Sequence, residues 1–474
     1  MKVDQIYTGC LAEAAYYIES KGEVAIIDPL RETKPYIDKA EGNGAKIKYV
    51  LETHFHADFV SGHIDLSKKT GATIVFGPTA APGYEAYVAK DGEELKLGDV
   101  KIRVLHTPGH TMESTTYLLI DENGKENCIF TGDTLFIGDV GRPDLVQKLK
   151  ADITPEFLAG HLYDSLRNKI MPLPDHIIVY PGHGAGSACG KNMSRENTDT
   201  LGHQKKVNYA LRAGMTKEQF IKEVTDGLVE PPQYFPYNVL MNLKGGIESV
   251  DEIVAKGNIP LTVREFQAVW ETMEALVLDT RCKEAFVAEH IPGSIFIGLD
   301  NLFAPWVGTL VTNLKQPILF LSDKGKEEEV VIRLSRVGYD NTVGYLDGGI
   351  TAWKEAGFDT GTIKEISAKD FAVLYLMDPV NTQLLDARRK SEFDSEHLAG
   401  AENFPLDFIN QNMAQIDKNK KYFIYCAGGY RSVIMISILK SRGFDHLVNI
   451  HGGYKMLSQT ALEKTKYTEP KTML

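Results

Sequence analysis

The chain is short of positive charge. Its 52 Lys and Arg are outnumbered by 64 Asp and Glu, giving a formal net charge of −12. No basic stripe stands against that balance, which argues against a nucleic-acid partner. An anionic substrate held by a few local arginines remains compatible with it. Cysteine is scarce too: Cys10, Cys128, Cys189, Cys282 and Cys426 are scattered, odd in number and form no CxxC pair. That pattern fits a reducing compartment rather than a disulfide framework. The opening Met1-Lys2-Val3-Asp4-Gln5 lacks the basic-then-apolar run of a signal peptide. No apolar stretch approaches the ~20 residues that span a bilayer. The expectation is a cytoplasmic protein with no membrane and no nucleic-acid partner.

What the chain does have is length and apolar content. At 474 residues and 43% hydrophobic it is too long for one core and rich enough for several. Roughly three domains are expected from the usual domain size.

Thr53-His54-Phe55-His56-Ala57-Asp58-Phe59 follows an apolar run ending Tyr49-Val50-Leu51, which reads as a buried strand. Alternate residues of an extended or turning backbone point the same way. His54, His56 and Asp58 can therefore converge, as metal ligands do. The same device recurs. Thr107-Pro108-Gly109-His110 bends after a strand and leaves its His exposed at the tip. Asn127 to Thr131 is a strand ending in Gly132-Asp133, and Ile177 to Tyr180 leads into Pro181-Gly182-His183. Four strand ends presenting His or Asp form a strong metal signal. Strands and helices alternate through this part, so the layering is α/β-like.

His54-x-His56-x-Asp58 followed by His110, Asp133 and His183 resembles the metallo-β-lactamase superfamily. The resemblance implies an αββα sandwich with metal at the edge of two sheets. Binuclear hydrolases of the superfamily, such as glyoxalase II, read HxHxDH, whereas the last position here is Phe59. A phenyl ring cannot ligate, which favours a single ion. Persulfide dioxygenases of this superfamily hold one iron with two histidines and one aspartate. Carried over, those ligands are His54, His110 and Asp133, with one Fe(II) per chain and zinc as a substitute. His56, Asp58 and His183 then support the site or serve an alternative metal. Gly141-Arg142-Pro143-Asp144 is similar to the family's substrate loop. There Arg142 would hold a carboxylate of a glutathione-like substrate, unless it simply pairs with Asp144. Cys189, in a loop of small residues after His183, is either a sulfur carrier at the metal pocket or a buried small hydrophobe. His63, His106, His161, His176 and His203 match no part of the pattern.

Glu230-Pro231-Pro232-Gln233-Tyr234-Phe235-Pro236 closes this domain, taken as 1–236, and 237–260 reads as a linker. An internal repeat follows. Leu278-Asp279-Thr280-Arg281 recurs as Leu385-Asp386-Ala387-Arg388. Phe286-x3-His290-Ile291-Pro292-Gly293 recurs as Phe393-x3-His397-Leu398-Ala399-Gly400. The modules are placed at 261–361 and 362–465, with a tail at 466–474. Both resemble rhodanese domains. In the second, Cys426-Ala427-Gly428-Gly429-Tyr430-Arg431 runs from an apolar strand into an apolar helix. Backbone N–H groups and a helix N-terminus stabilise negative charge on such a sulfur. The resemblance makes Cys426 the nucleophile, with Gly428, Gly429 and Arg431 holding the anionic sulfur substrate. The first copy has Ser322-Asp323-Lys324-Gly325 at that place and reads as inactive, a spacer or docking surface.

The fold expected is multidomain α/β: an αββα metallo-β-lactamase sandwich followed by two rhodanese-like domains. The function implied is a persulfide dioxygenase (sulfur dioxygenase) fused to a thiosulfate sulfurtransferase. Glutathione or coenzyme A persulfide and O2 would give sulfite, and sulfite would receive sulfur from Cys426 to give thiosulfate. The alternatives are a zinc glyoxalase II-like thioester hydrolase with appended sulfurtransferase modules, and a non-catalytic sulfur carrier or scaffold. The family suggests a homodimer through the first domain.

Overall fold

The computed structural model describes residues 1–145, 153–300 and 302–465; the tail expected at 466–474 lies outside them. One compact unit comprises Met1–Val250 with Ser335–Gly338, and a second comprises Asp251–Leu334 and the chain from Tyr339 on.

The first unit holds two six-stranded sheets. One is Lys2–Thr8 (β1), Glu13–Ser20 (β2), Glu23–Ile27 (β3), Lys46–Leu51 (β4), Thr73–Phe76 (β5) and Tyr87–Val88 (β6), in that spatial order. The other is Glu94–Leu97 (β7), Val100–His106 (β8), Thr115–Ile120 (β9), Glu126–Gly132 (β10), Ile178–Pro181 (β11) and Asp199–Thr200 (β12), also in order of sequence. The inner strands β2, β9 and β10 are buried on both faces. Tyr16 and Ile18 of β2 meet Tyr117, Leu119 and Phe130 between the sheets. Ala15 and Tyr17 point outward, under the helices Lys34–Gly42 and His63–Thr70, with Tyr36, Ala40 and Leu66. Leu118 and Ile120 of β9 face the other way, against Leu162, Leu166 and Phe220. The result is the four-layer αββα sandwich.

The residues 237–260, expected as a linker, carry the helices Phe235–Lys244 and Val250–Gly257. Proline density marked the approach to the first of these helices: Pro236 occupies its first turn, where a missing N–H costs nothing.

The second unit contains two parallel five-stranded sheets of the same topology. Pro260–Leu261 (β13), Leu276–Asp279 (β14), Ile295–Phe296 (β15), Ile318–Leu321 (β16) and Thr342–Leu346 (β17) lie in the order β13-β17-β16-β14-β15. Lys364–Ser367 (β18), Gln383–Asp386 (β19), Glu402–Asn403 (β20), Tyr422–Tyr425 (β21) and Leu447–His451 (β22) lie in the order β18-β22-β21-β19-β20. Their central strands β16 and β21 are buried throughout, as near-continuous apolar runs of a parallel sheet require. Among the described residues no helix is long and apolar enough to cross a membrane.

Candidate metal and sulfur sites

The strand ends β3, β4, β8, β10 and β11 deliver side chains to one edge of the sandwich. Asp28 follows β3 in a left-handed conformation, φ 48°. Its carboxylate accepts from Thr53 N at 2.7 Å and from Thr53 Oγ1 at 2.8 Å. The Thr53 hydroxyl oxygen, its proton thus committed, lies 2.9 Å from His54 Nδ1 and accepts from it. Nε2 of His54 is left with its lone pair. His110 arrives at the same state by another route, donating Nδ1–H to the Arg142 carbonyl at 2.9 Å. Its Nε2 sits 3.4 Å from Asp133 Oδ2. Hydrogen bonding one imidazole nitrogen to orient the other is how metal-binding histidines are held.

Glycine lets these elements close up. A Cβ at Gly132 would stand 2.5 Å from Thr53 Oγ1, and one at Gly182 would stand 2.7 Å from Asp133 Oδ1. His110 is buried rather than exposed at its turn. Gly109 accounts for this: a Cβ there would fall 2.3 Å from Leu162 Cβ, so the helix Pro155–Ser165 covers the turn closely.

Ligand atoms of His54, His110 and Asp133 lie within 4.8 Å of one another, and all three residues are buried. Both oxygens of Asp133 lack a hydrogen-bond partner among the protein's groups. An orphaned buried carboxylate is costly unless a cation completes it. Two imidazole nitrogens and a carboxylate presented in this way fit a divalent ion. Beside them Asp58, His183 and Cys189 form a second set within 4.8 Å. His183 Nε2 is 3.5 Å from both Asp58 Oδ2 and Asp133 Oδ1. Burial, reinforced by the Asp58 and Asp133 charges, pushes the Cys189 thiol well up.

His56 goes elsewhere. Its Nε2 is 3.1 Å from Asp28 and 3.8 Å from Glu52, and the Phe59 ring packs on it at 4.3 Å between centroids. Burial opposes its charge, but Asp28, Glu52 and Asp58 outweigh that and hold the ring up at about 9. His54, in contrast, is held well below the usual range by burial and then by the neighbouring His56, His110 and His183.

Arg142 is not positioned to hold a substrate carboxylate. Its guanidinium is engaged by Asp144 at 2.7 and 2.6 Å and by the carbonyls of Ala188 and Val229. Asp144, two positions on, takes the fork that a ligand would need. What Arg142 offers the site is its carbonyl, to His110. Sequence reasoning missed Asp28, although it too is an acid at a strand end. It also missed Asn242, whose Nδ2 donates to His56 O and Phe59 O at 2.9 and 2.8 Å while its Oδ1 accepts from Ser61 N at 2.9 Å. That amide clamps the histidine loop from the helix Phe235–Lys244.

In the second unit Cys426 ends β21 and is itself buried, beneath exposed Ala427 and Gly428. Gly429 N donates to its Sγ at 3.1 Å, and Ser432 Oγ lies 3.6 Å away. Gly429 has φ 95° and caps the helix Tyr430–Ser441. Arg431 is again spoken for: it grips Glu392 with both terminal nitrogens, at 2.6 and 2.8 Å. It shapes the loop rather than offering an open fork to an anion.

Comparison with known proteins agrees with this architecture. The metallo-beta-lactamase superfamily profile matches residues 8–183, and the rhodanese-like domain profile matches 262–356 and 372–460. A crystal structure of a metallo-beta-lactamase from Staphylococcus aureus subsp. aureus COL is 32% identical, with TM-score 0.63, covering 73% of this chain and 98% of that one. The cytoplasmic hydroxyacylglutathione hydrolase of Arabidopsis thaliana is 34% identical over 37% of this chain and 65% of its own length. The mitochondrial persulfide dioxygenase of Homo sapiens is 27% identical over 48% of this chain and 81% of its own. The chain thus spans slightly under two thirds of the Arabidopsis hydrolase. A sandwich with such strand ends defines a divalent-metal enzyme. The chain belongs to the metallo-β-lactamase superfamily and carries two rhodanese-like domains.

Proposed function

We propose that this chain oxidises low-molecular-weight persulfides to sulfite with O2 at His54, His110 and Asp133, and passes persulfide sulfur to sulfite through Cys426. Glutathione or coenzyme A persulfide is the substrate of this reading, and the cytoplasm its location. The observation that carries it is the commitment of His56 to Asp28, with Phe59 where a binuclear hydrolase has another imidazole. His54, His110 and Asp133 together offer two histidines and one carboxylate, the set that suits non-haem Fe(II).

His54, His110 and Asp133 would hold the iron. Bound there, ferrous iron supplies open positions for a thiol sulfur and the electrons that let O2 react. The chain's own groups do the rest. Thr53 and the Arg142 carbonyl fix both imidazoles with Nε2 inward. The buried walls keep bulk water from a reactive sulfur. One persulfide, one O2 and one water give the thiol, sulfite and two protons. At the second site the Cys426 thiolate attacks the outer sulfur of a persulfide and expels the thiol. Sulfite then attacks that sulfur with its lone pair, the S–S bond breaks, and thiosulfate leaves with the Cys426 thiolate restored. The Gly429 N–H and the helix behind it stabilise the charge on sulfur at both stages. The persulfide dioxygenase relative supports the first half of the reading.

A second reading, a zinc thioester hydrolase, is favoured by one observation: Asp58, His183 and Cys189 form a ligand set beside the first. The hydroxyacylglutathione hydrolase relatives are consistent with it. Metal analysis of anaerobically purified protein, paired with O2 uptake on glutathione persulfide, separates the two. Roughly one iron per chain with persulfide-dependent uptake is expected for a facial site. Zinc, no uptake after iron reconstitution, and hydrolysis of lactoylglutathione without O2 would replace it with the hydrolase.

A further inference from the structure

The first rhodanese-like module has Ser322 where the second has Cys426, so it carries no sulfur nucleophile there. It nevertheless forms one wall of the Cys426 loop. The helix Tyr430–Ser441, which leaves that loop, is fastened to the first module. Ser437 Oγ accepts from Phe296 N at 3.0 Å, and the Tyr430 hydroxyl donates to Gly298 O at 3.2 Å. The Tyr430 and Phe296 rings meet edge to face at 5.5 Å.

This docking brings Lys283 over the loop. Its Nζ lies 3.7 Å from the point where a side chain at Gly429 would begin. Gly429 is the residue whose N–H donates to Cys426 Sγ. Two arginines near the loop are committed: Arg431 to Glu392, and Arg388 to Asp386 at 2.6 Å. Lys283 pairs at 3.2 Å with Glu284, whose side chain is 73% exposed. Water screens that pair, so it is weak and readily exchanged.

We propose that Lys283 is a substrate-binding residue of the Cys426 site, its ammonium holding a sulfur oxyanion (sulfite or thiosulfate) over Cys426. The proposal rests on Cys426 being the persulfide carrier. Sulfite attack on an anionic persulfide brings like charges together, and a cation at the loop lowers that repulsion. A flexible stem with a point charge can follow the acceptor in and out. Lys283 exchanges neither proton nor electron: the sulfite lone pair makes the new S–S bond, and the old bond's pair returns to Cys426. The silent module is thus part of the active site.

The test uses the full chain with Lys283→Met, Lys283→Arg and Cys426→Ser. Sulfur transfer from glutathione persulfide is followed to sulfite and, in parallel, to neutral dithiothreitol. Lys283→Met should raise KM for sulfite about ten-fold and leave the dithiothreitol reaction within about two-fold. Lys283→Arg should recover most of the loss, and added salt should raise the sulfite KM of the parent more than that of Lys283→Met. An unchanged sulfite KM in Lys283→Met overturns the proposal. Equal losses with both acceptors overturn it too, since they mark a packing role. Transfer surviving in Cys426→Ser would instead bring down the underlying reading, and the proposal with it.

Discussion

The two rhodanese-like modules share a strand order and a framework, and differ in one loop. In each, an Asp at the end of a strand receives an Arg two positions on, with Nη2 to Oδ2 at 2.6 Å in both. In each, the same guanidinium reaches a carbonyl at 2.8 Å, of Glu289 or Glu396. His290 and His397 each turn Nδ1 to the carbonyl of the Phe four residues before, at 2.8 and 2.6 Å. The Asp-x-Arg and Phe-x3-His signatures are therefore clasps that shape the module. Chemistry is written elsewhere. The second module has Cys426, Arg431 and Glu392, where the first has Ser322, Glu327 and Ala285. The module without the thiol also lacks both halves of the ion pair that braces the Cys426 loop.

That contrast can be broken or sharpened by substitution. The largest effect belongs to Cys426→Ser, which should cut thiosulfate formation by more than about hundred-fold while O2 uptake persists. The converse, Ser322→Cys, should leave transfer in a Cys426→Ser background below about 1% of the parent, because the unbraced loop lacks its Arg; a rate assay on persulfide and sulfite checks both. Next come the clasps. Asp279→Asn and Asp386→Asn each strand a buried guanidinium and should cost about 3–5 kcal/mol, equally in the two modules, by urea unfolding. Unequal losses would mean that the shared framework is not shared in energy.

Smaller is the pH response of the bracing pair. Burial alone would raise the Glu392 carboxyl, but Arg431 overrides it and holds it below the usual range. A folded value below the unfolded one gives stability that is present above the carboxylate range and lost as pH falls through it. Urea midpoints should therefore drop more for the parent than for Glu392→Gln between about pH 5 and pH 3. The smallest effect is expected from Ser432→Ala: its hydroxyl is 3.6 Å from Sγ and gives its proton to Asn449 at 2.7 Å. Transfer rates should fall by no more than about three-fold.

The repeat and the four strand ends were legible in the sequence because both are local. A strand, a turn residue and a His or Asp sit side by side in the chain, and a duplicated module repeats its clasps at matching positions. What stayed hidden was pairing. By spacing alone His56 looked as good a ligand as His54; the structure sets Asp28 and Glu52 facing it. Arg431 looked free until Glu392 was found in its fork, and for Arg142 the sequence left the choice between a substrate and Asp144 open. A guanidinium shows its charge in a sequence but not its partner. The segment 237–260 read as linker for a similar reason: nothing near Asn242 in the chain says what it holds.

That last amide has a consequence in time. Asn242 stands 186 positions after His56, the residue whose carbonyl it secures. At ~5–20 residues per second a ribosome takes roughly 10–40 s to pass from one to the other. During that interval the nascent histidine loop has its strand but not its clasp. The clamped histidine loop is thus completed only late in the synthesis of the first unit, however early its histidines emerge.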